Sequence, residues 1–271
     1  MKSKTKIFTC ATLAIFLLVG SVLFSSISNN TSAIHTSGTL ELSDSKIEWG
    51  IKRAKNHEQP DLGSKNKGLI EKYNGMAMGN NNDKYIYVTF DLGYEAGYTA
   101  KILDVLKENN VPAAFFITAH YVNTASDLVQ RMIDDGHIIG NHTVNHKSMP
   151  GLSKDKLTEE LMNLHTAIYE KFGYEMKYMR PPKGEYSEKS LDTTIKLGYV
   201  PVMWSFAYAD WDEAKQPSHN EGINKIVDNV HNGEIMLLHA TSKTNMEILD
   251  TVIKQIKGMG YEFKSLDQFA G

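Results

Sequence analysis

Two histidines four residues apart, His142 and His146 in the run Gly140-Asn141-His142-Thr143-Val144-Asn145-His146, open the chemistry of this chain. Neutral imidazole is the commonest protein ligand for transition metals. A separation of four puts both rings on one side of a helical turn. Such a pair alone is equally a surface coincidence or a hydrogen-bonded packing pair, so its meaning depends on what joins it. The single cysteine, Cys10, lies near the amino terminus, which excludes an internal disulfide, thiolate catalysis and thiolate metal ligation. His, Asp and Glu are left to carry any site.

Further polar residues stand just past apolar, strand-like runs. Asp91 follows Val88-Thr89-Phe90, Arg180 follows Met176 to Met179, Asp210-Trp211 come after Val200 to Trp204, and His239 closes Ile235-Met236-Leu237-Leu238. An aspartate beside an arginine is held ionised and serves as a water-activating base, because a nearby positive charge lowers a carboxylate pKa; Asp91 and Arg180 are such a pair. If Asp210 bonds one ring nitrogen of His239, the imidazole is oriented and kept protonated, ready to donate a proton. Trp211 is then either an apolar wall or core packing. The stretch Arg180-Pro181-Pro182-Lys183-Gly184 is stiff, since each proline fixes its own φ and restricts the residue before it. It either braces a loop or aims the Lys183 backbone N–H at a developing oxyanion.

These residues need a scaffold that gathers strand ends. Tyr85 to Phe90, Ala113 to Ile117, His137 to Gly140, Met176 to Met179, Val200 to Trp204 and Glu234 to Leu238 read as strands. Helical patterns fall between or after them at Thr99 to Glu108, Ala125 to Asp134, Ser153 to Phe172, Glu188 to Leu197, Asn220 to Val230 and Thr244 to Lys257, with Ser153 as an N-cap. Sustained alternation predicts an α/β fold with a parallel sheet, closed or nearly closed into a (β/α) barrel, whose active site lies at the carboxyl ends of the strands.

The chain has 271 residues, within reach of one barrel domain, and 29 Lys and Arg against 32 Asp and Glu leave a net charge of −3. That balance offers no electrostatic footprint for nucleic acid. Lys2, Lys4 and Lys6 precede an apolar run from about Ile7 to Ile27, which reads as an export signal, and residues 1–33 serve as a cleaved signal peptide or as a retained membrane anchor. Either way the body of the protein is expected outside the cytoplasm. Residues 34–83 read as a Ser/Thr/Asn-rich tether and an irregular lead-in that wraps the domain and carries little chemistry, and residues 84–271 as the catalytic domain.

Together the islands resemble the polysaccharide deacetylases of the NodB homology type, carbohydrate esterase family four, over about residues 85 to 268. The family's T-F-D-D-G, H-[ST]-x-x-H, R-x-P-x-G, a motif ending D-W, and L-x-H correspond in order to Thr89–Gly93, His142–His146, Arg180–Gly184, Asp210-Trp211 and Leu237–His239. The run Phe90 to Thr99, the Arg180–Gly184 loop, Trp49-Gly50 and His57 to Asp61 are similar to the delta-lactam-forming de-N-acetylases of spore cortex peptidoglycan. The resemblance implies a distorted (β/α) barrel and hydrolysis of the acetamide of N-acetylmuramic acid. It further implies glycan strands already stripped of peptide by a separate muramoyl-alanine amidase, and a sporulation setting in the spore envelope. It makes Asp91 the base, His239 the acid, Arg180 and Asp210 their tuners, and His142 and His146 ligands to a divalent ion, zinc first, with cobalt or manganese as alternatives. Lys183, Trp211, Tyr94 and Leu237 would meet substrate. Two departures stand out: Leu92 replaces the second Asp of the first motif, the family's third metal ligand, and Ala207 replaces an earlier Asp of the fourth. A weakly bound metal is the expected consequence. A glycoside hydrolase using Asp91 and Asp210 about 5–10 Å apart, and a non-catalytic glycan-binding protein, are the competing readings.

Overall fold

The strand Tyr85–Leu92 sets the plan of the molecule, because its side chains alternate between two buried faces. Ile86, Val88, Phe90 and Leu92 pack against the apolar stripes of surrounding helices, whereas Tyr87, Thr89 and Asp91 turn to the opposite side. A strand buried on both faces belongs inside a parallel sheet covered by helices. The computed structural model describes residues 41–271; the signal or anchor segment, Cys10 and most of the tether lie outside the described residues. Leu42–Gly271 form one compact unit.

In chain order the elements are β1 (Ile47–Glu48), α1 (Ser64–Lys72), β2 (Tyr85–Leu92), α2 (Thr99–Glu108), β3 (Ala113–Ile117), α3 (Ala119–Thr124), α4 (Ser126–Asp134) and β4 (Ile138–Asn141). They continue with α5 (Lys154–Phe172), β5 (Tyr178–Met179), β6 (Glu185–Tyr186), α6 (Glu188–Lys196), β7 (Val200–Pro201), α7 (His219–Val227), β8 (Glu234–His239), α8 (Lys243–Gly258) and β9 (Glu262–Phe263). Six parallel strands follow the order β7-β5-β4-β3-β2-β8, and β9 pairs with the start of β2. The expected Ser153 N-cap is present, its side chain accepting from the Lys156 N–H.

Closure of the barrel rests on one segment. Val200 and Val202 donate to Lys177 and Met179 on the β5 side, and three residues later Ser205 donates to Ile235 and Phe206 accepts from Leu237 on β8. The chain after β7 thus crosses from one sheet edge to the other. This makes the barrel distorted, and it shortens the expected strands Met176 to Met179 and Val200 to Trp204 to two residues each. Tyr87, Ala114, Phe116, Tyr178, Val202 and Ile235 fill the interior.

The lead-in is more ordered than its irregular pattern suggests. It contains α1, and β1 pairs antiparallel with β6. A short helix, α3, also stands where the sequence pattern marks none; its cap, Thr118, accepts from the Tyr121 N–H. Among the described residues no helix is long and apolar enough to cross a membrane.

Interior packing reaches the strand ends through a glycine. A Cβ on Gly140 of β4 would lie 2.4 Å from the Phe116 ring, and the Arg180 guanidinium carbon sits 4.2 Å from the centroid of that same ring. Gly140→Ala is therefore expected to destabilise the fold by about 1–3 kcal/mol through forced displacement of Phe116, measured as a lower urea midpoint; an unchanged midpoint would show that the ring yields freely.

Candidate active site

Arg180 is the largest fully buried side chain, and an unpaired guanidinium there would be strongly destabilising. Every part of it is engaged. Nη1 donates to Asp91 Oδ1 at 2.8 Å, Nε to the Val202 carbonyl at 3.1 Å and Nη2 to the Met203 carbonyl at 3.2 Å. Burial pushes the Asp91 carboxyl up, but the charge of Arg180, its hydrogen bond and the neighbouring imidazoles outweigh it and hold the group below the usual carboxylate range. Asp91 is thus kept ionised while nearly sealed from water.

His142 stands against the same carboxylate. Its Nδ1 lies 2.9 Å from the Arg180 carbonyl, which only accepts, so Nδ1 carries the proton and Nε2 presents a lone pair. Burial, partly opposed by Asp91, brings its pKa down to about 4, so the ring is neutral at ordinary pH. Nε2 is 3.5 Å from Asp91 Oδ2. Two acceptors with no proton between them repel, and a cation beside them relieves the repulsion.

His239 is the mirror case. Asp91 and His239 are register partners on adjacent parallel strands β2 and β8. Asp210 is fully buried; its Oδ1 lies 2.7 Å from His239 Nδ1, and its Oδ2 accepts from the His239 N–H at 2.8 Å and from Asn245 Nδ2 at 2.5 Å. Burial pulls the His239 pKa down, yet the hydrogen bond and charge of Asp210, with the charge of Asp91, raise it above 6.5. Trp211 stands edge-on to His239, ring centroids 5.7 Å apart, and is 56% exposed, so it forms a wall at the rim rather than core packing.

His146 does face His142, with ring centroids 4.8 Å apart, but not across a helical turn as the spacing of four suggests. The segment after β4 is a loop with positive φ at Thr143 and His146. Local side chains hold it: Asn141 Oδ1 accepts from the Thr143 N–H at 2.9 Å, and Thr143 Oγ1 from the His146 N–H at 3.0 Å. Glu160 of α5 accepts from the Asn145 N–H at 2.8 Å and from Asn145 Nδ2 at 2.7 Å. Glu160 is a positioning residue that the sequence reading passes over, although a carboxylate on the buried stripe Leu157, Leu161, Leu164 was a signal. Burial, with the charges of Lys183 and His239, lowers the His146 pKa despite the opposing charge of Asp91, which favours the neutral ligating form.

These groups share a cleft of ≈ 610 Å³ lined by Asp91, His142, His146, Lys183, Trp211 and His239. Leu237 contributes to its floor, and Tyr94 lines the adjoining groove of ≈ 720 Å³, where its hydroxyl donates to Glu213. Of the ten residues singled out from the sequence, nine border the cleft or hold a residue that does, and Tyr94 lines the adjoining groove. The lead-in, expected to carry little chemistry, supports the site. Trp49 donates from its backbone to the Gly184 carbonyl and from Nε1 to the Trp204 carbonyl, each at 2.9 Å, and Arg53 Nη2 donates to the Ala207 carbonyl at 2.5 Å.

His142 and His146 present the donors that a divalent ion of borderline softness takes, and the facing acceptors of His142 and Asp91 fit a cation beside them. Among the described residues no group of three or more His, Cys, Asp or Glu is arranged to hold a metal. Leu92, at the position of the missing carboxylate, is fully buried in the core on the helix side of β2. The donor set fits a weakly held ion.

Residues 78–202 match the family described as polysaccharide deacetylase. The chain is 43% identical over 222 residues to the peptidoglycan-N-acetylmuramic acid deacetylase PdaA of Bacillus subtilis, covering 82% of this chain and 84% of that protein. It is 31% identical over 201 residues to a peptidoglycan-N-acetylglucosamine deacetylase of Bacillus cereus, covering 73% and 72%. The structure of Bacillus subtilis PdaA, a family 4 carbohydrate esterase, superposes with a TM-score of 0.82 at 42% identity, covering 84% of this chain and 98% of that one.

The His239–Asp210 pair makes a direct electrostatic prediction. In NMR titrations the His239 imidazole should titrate above its ordinary value, and lower in Asp210→Asn, where only the charge of Asp91 still opposes burial. An unshifted value in the variant would show that Asp210 orients the ring without charging it.

Proposed function

The chain belongs to the polysaccharide deacetylases, the family 4 carbohydrate esterases, and on that premise we propose that it hydrolyses the acetamide of N-acetylmuramic acid residues in peptidoglycan. The observation that supports this most strongly is the opposed pair at the ends of β2 and β8: an arginine-held carboxylate, Asp91, beside an aspartate-held imidazole, His239, whose pKa that aspartate raises. Amide hydrolysis needs both a base that accepts a proton from water and an acid that gives one to the departing nitrogen.

His142 and His146 would hold a divalent ion, with Asp91 close by; zinc, cobalt and manganese all suit two imidazoles. When bound, such an ion supplies Lewis-acid polarisation of the acetamide carbonyl. Asp91 accepts the proton of the attacking water. The Lys183 backbone N–H, in the stiff Pro181-Pro182-Lys183-Gly184 loop, faces the charge that develops on the carbonyl oxygen. His239 then donates its proton to the sugar nitrogen as the carbon–nitrogen bond breaks, and acetate leaves. Trp211, Tyr94 and Leu237 position the glycan.

The muramic acid specificity is supported by the similarity to PdaA, the peptidoglycan-N-acetylmuramic acid deacetylase of Bacillus subtilis. With it we propose the setting: peptide-free strands left by a separate amidase, the route to muramic delta-lactam of spore cortex, and an extracytoplasmic site reached through the amino-terminal apolar segment. A glycoside hydrolase would need Asp210 free to act at the glycosidic bond. Both its oxygens are instead committed to His239 and Asn245 in a fully buried position.

Purified, folded Asp91→Asn is expected to lose acetate release from peptide-free muramic glycan by roughly 10²–10⁴-fold, followed by product mass with and without added divalent ions. Unmutated rates in the variant would contradict the role of Asp91, and new reducing ends in place of acetate would contradict deacetylation.

A further inference from the structure

The cleft accounts for its own charges with one exception. Asp91 is paired with Arg180, Asp210 with His239, Glu213 is bound by Tyr94, and Glu185 by Lys46. Lys183 is the single lysine or arginine lining the cleft or the adjoining groove among the described residues, it is exposed, and it takes part in none of their ion pairs. It carries a positive charge at the mouth of the site and forms no ion pair there; its charge is felt at Glu185, but that carboxylate is paired with Lys46.

Its backbone sharpens the question of why a lysine stands there. Lys183 has φ 59° and ψ 8°, the left-handed region that costs a side chain about 1–2 kcal/mol relative to glycine. The next residue, Gly184, needs to be glycine, since a Cβ there would lie 2.7 Å from the Trp204 ring. No such contact dictates residue 183, so the side chain rather than the loop geometry is the reason to look for a role. Its charge is felt at His146, which places it beside the proposed ligand pair.

We infer that the Lys183 ammonium receives the lactyl carboxylate of the muramoyl residue being deacetylated. The inference rests on the muramic acid reading above. An N-acetylmuramoyl residue carries its acetamide and its lactyl ether on neighbouring ring carbons, and removal of the peptide leaves the ether ending in a free carboxylate. With the acetamide at Asp91 and His142, that carboxylate lies close to an ionised aspartate and is repelled unless a cation meets it. Lys183 supplies the cation. Glucosaminyl residues have no such anion, and peptide-bearing muramoyl residues have it capped as an amide, so one side chain would distinguish the substrate from both.

The test uses the full chain in detergent and two forms of one peptide-free muramic glycan, with lactyl carboxylates free or methyl-esterified. Acetate release is expected to favour the free acid by roughly 10-fold in kcat/KM, chiefly through KM, and the preference should shrink as salt is added. Lys183→Gln should bring the ratio of the two substrates close to one, and Lys183→Arg should retain most of it. The ratio is internal to each preparation, so partial misfolding of a variant does not imitate the result. An unchanged ratio in Lys183→Gln, or equal rates on both glycans in the unmutated protein, overturns the inference alone. Acetate from neither glycan overturns the muramic acid reading and this inference with it.

Discussion

The buried ion pair between Arg180 and Asp91 is the constraint on which the site depends. A guanidinium sealed from water is tolerable only where it is paired and hydrogen-bonded, and here two carbonyls of the segment that closes the barrel, Val202 and Met203, and one carboxylate of the central strand give each of its nitrogens a partner. Barrel closure and the ionisation of Asp91 are therefore the same structural fact. The Arg180 carbonyl adds a third consequence, because it fixes the tautomer of His142 and turns its Nε2 lone pair toward Asp91.

Against this anion stands an imidazole with the opposite bias. Asp91 and Asp210 are both aspartates next to a cationic partner, but one faces the cleft and the other is enclosed by His239 and Asn245. In the proposed reaction environment, not residue type, would divide the labour: the cleft-facing carboxylate as the base, the enclosed one as the group that charges the acid. The arrangement needs no conformational change to set the two protonation states apart, since the causes are fixed contacts.

Much of this was legible in the sequence because it depends on neighbouring residues. Alternation in Tyr85–Leu92, apolar runs ending in Asp91 and His239, and the paired prolines before Lys183 are local patterns, and the helical stripes of α2 and α8 follow the ordinary period. What was not legible depends on partners far along the chain. Trp49 and Arg53 hold carbonyls more than a hundred residues away, at Trp204 and Ala207, so the lead-in looked irregular. The loop at His142–His146 imitates a helical spacing because Asn141, Thr143 and Glu160 bend the backbone into positive φ. Leu92 is the informative departure: its place in the helix-side core explains how β2 stays regular to its end without a second carboxylate in the cleft.

The central claim is that His239 acts as an acid and Asp91 as a base at neutral pH. The pH dependence of kcat/KM for acetate release from peptide-free muramic glycan tests it most directly. Because Asp210 and Asp91 raise the His239 pKa from its ordinary value against the pull of burial, kcat/KM should fall as pH rises through that raised value. A kcat/KM that instead climbs through this pH would show an imidazole working as a base, and would contradict the account.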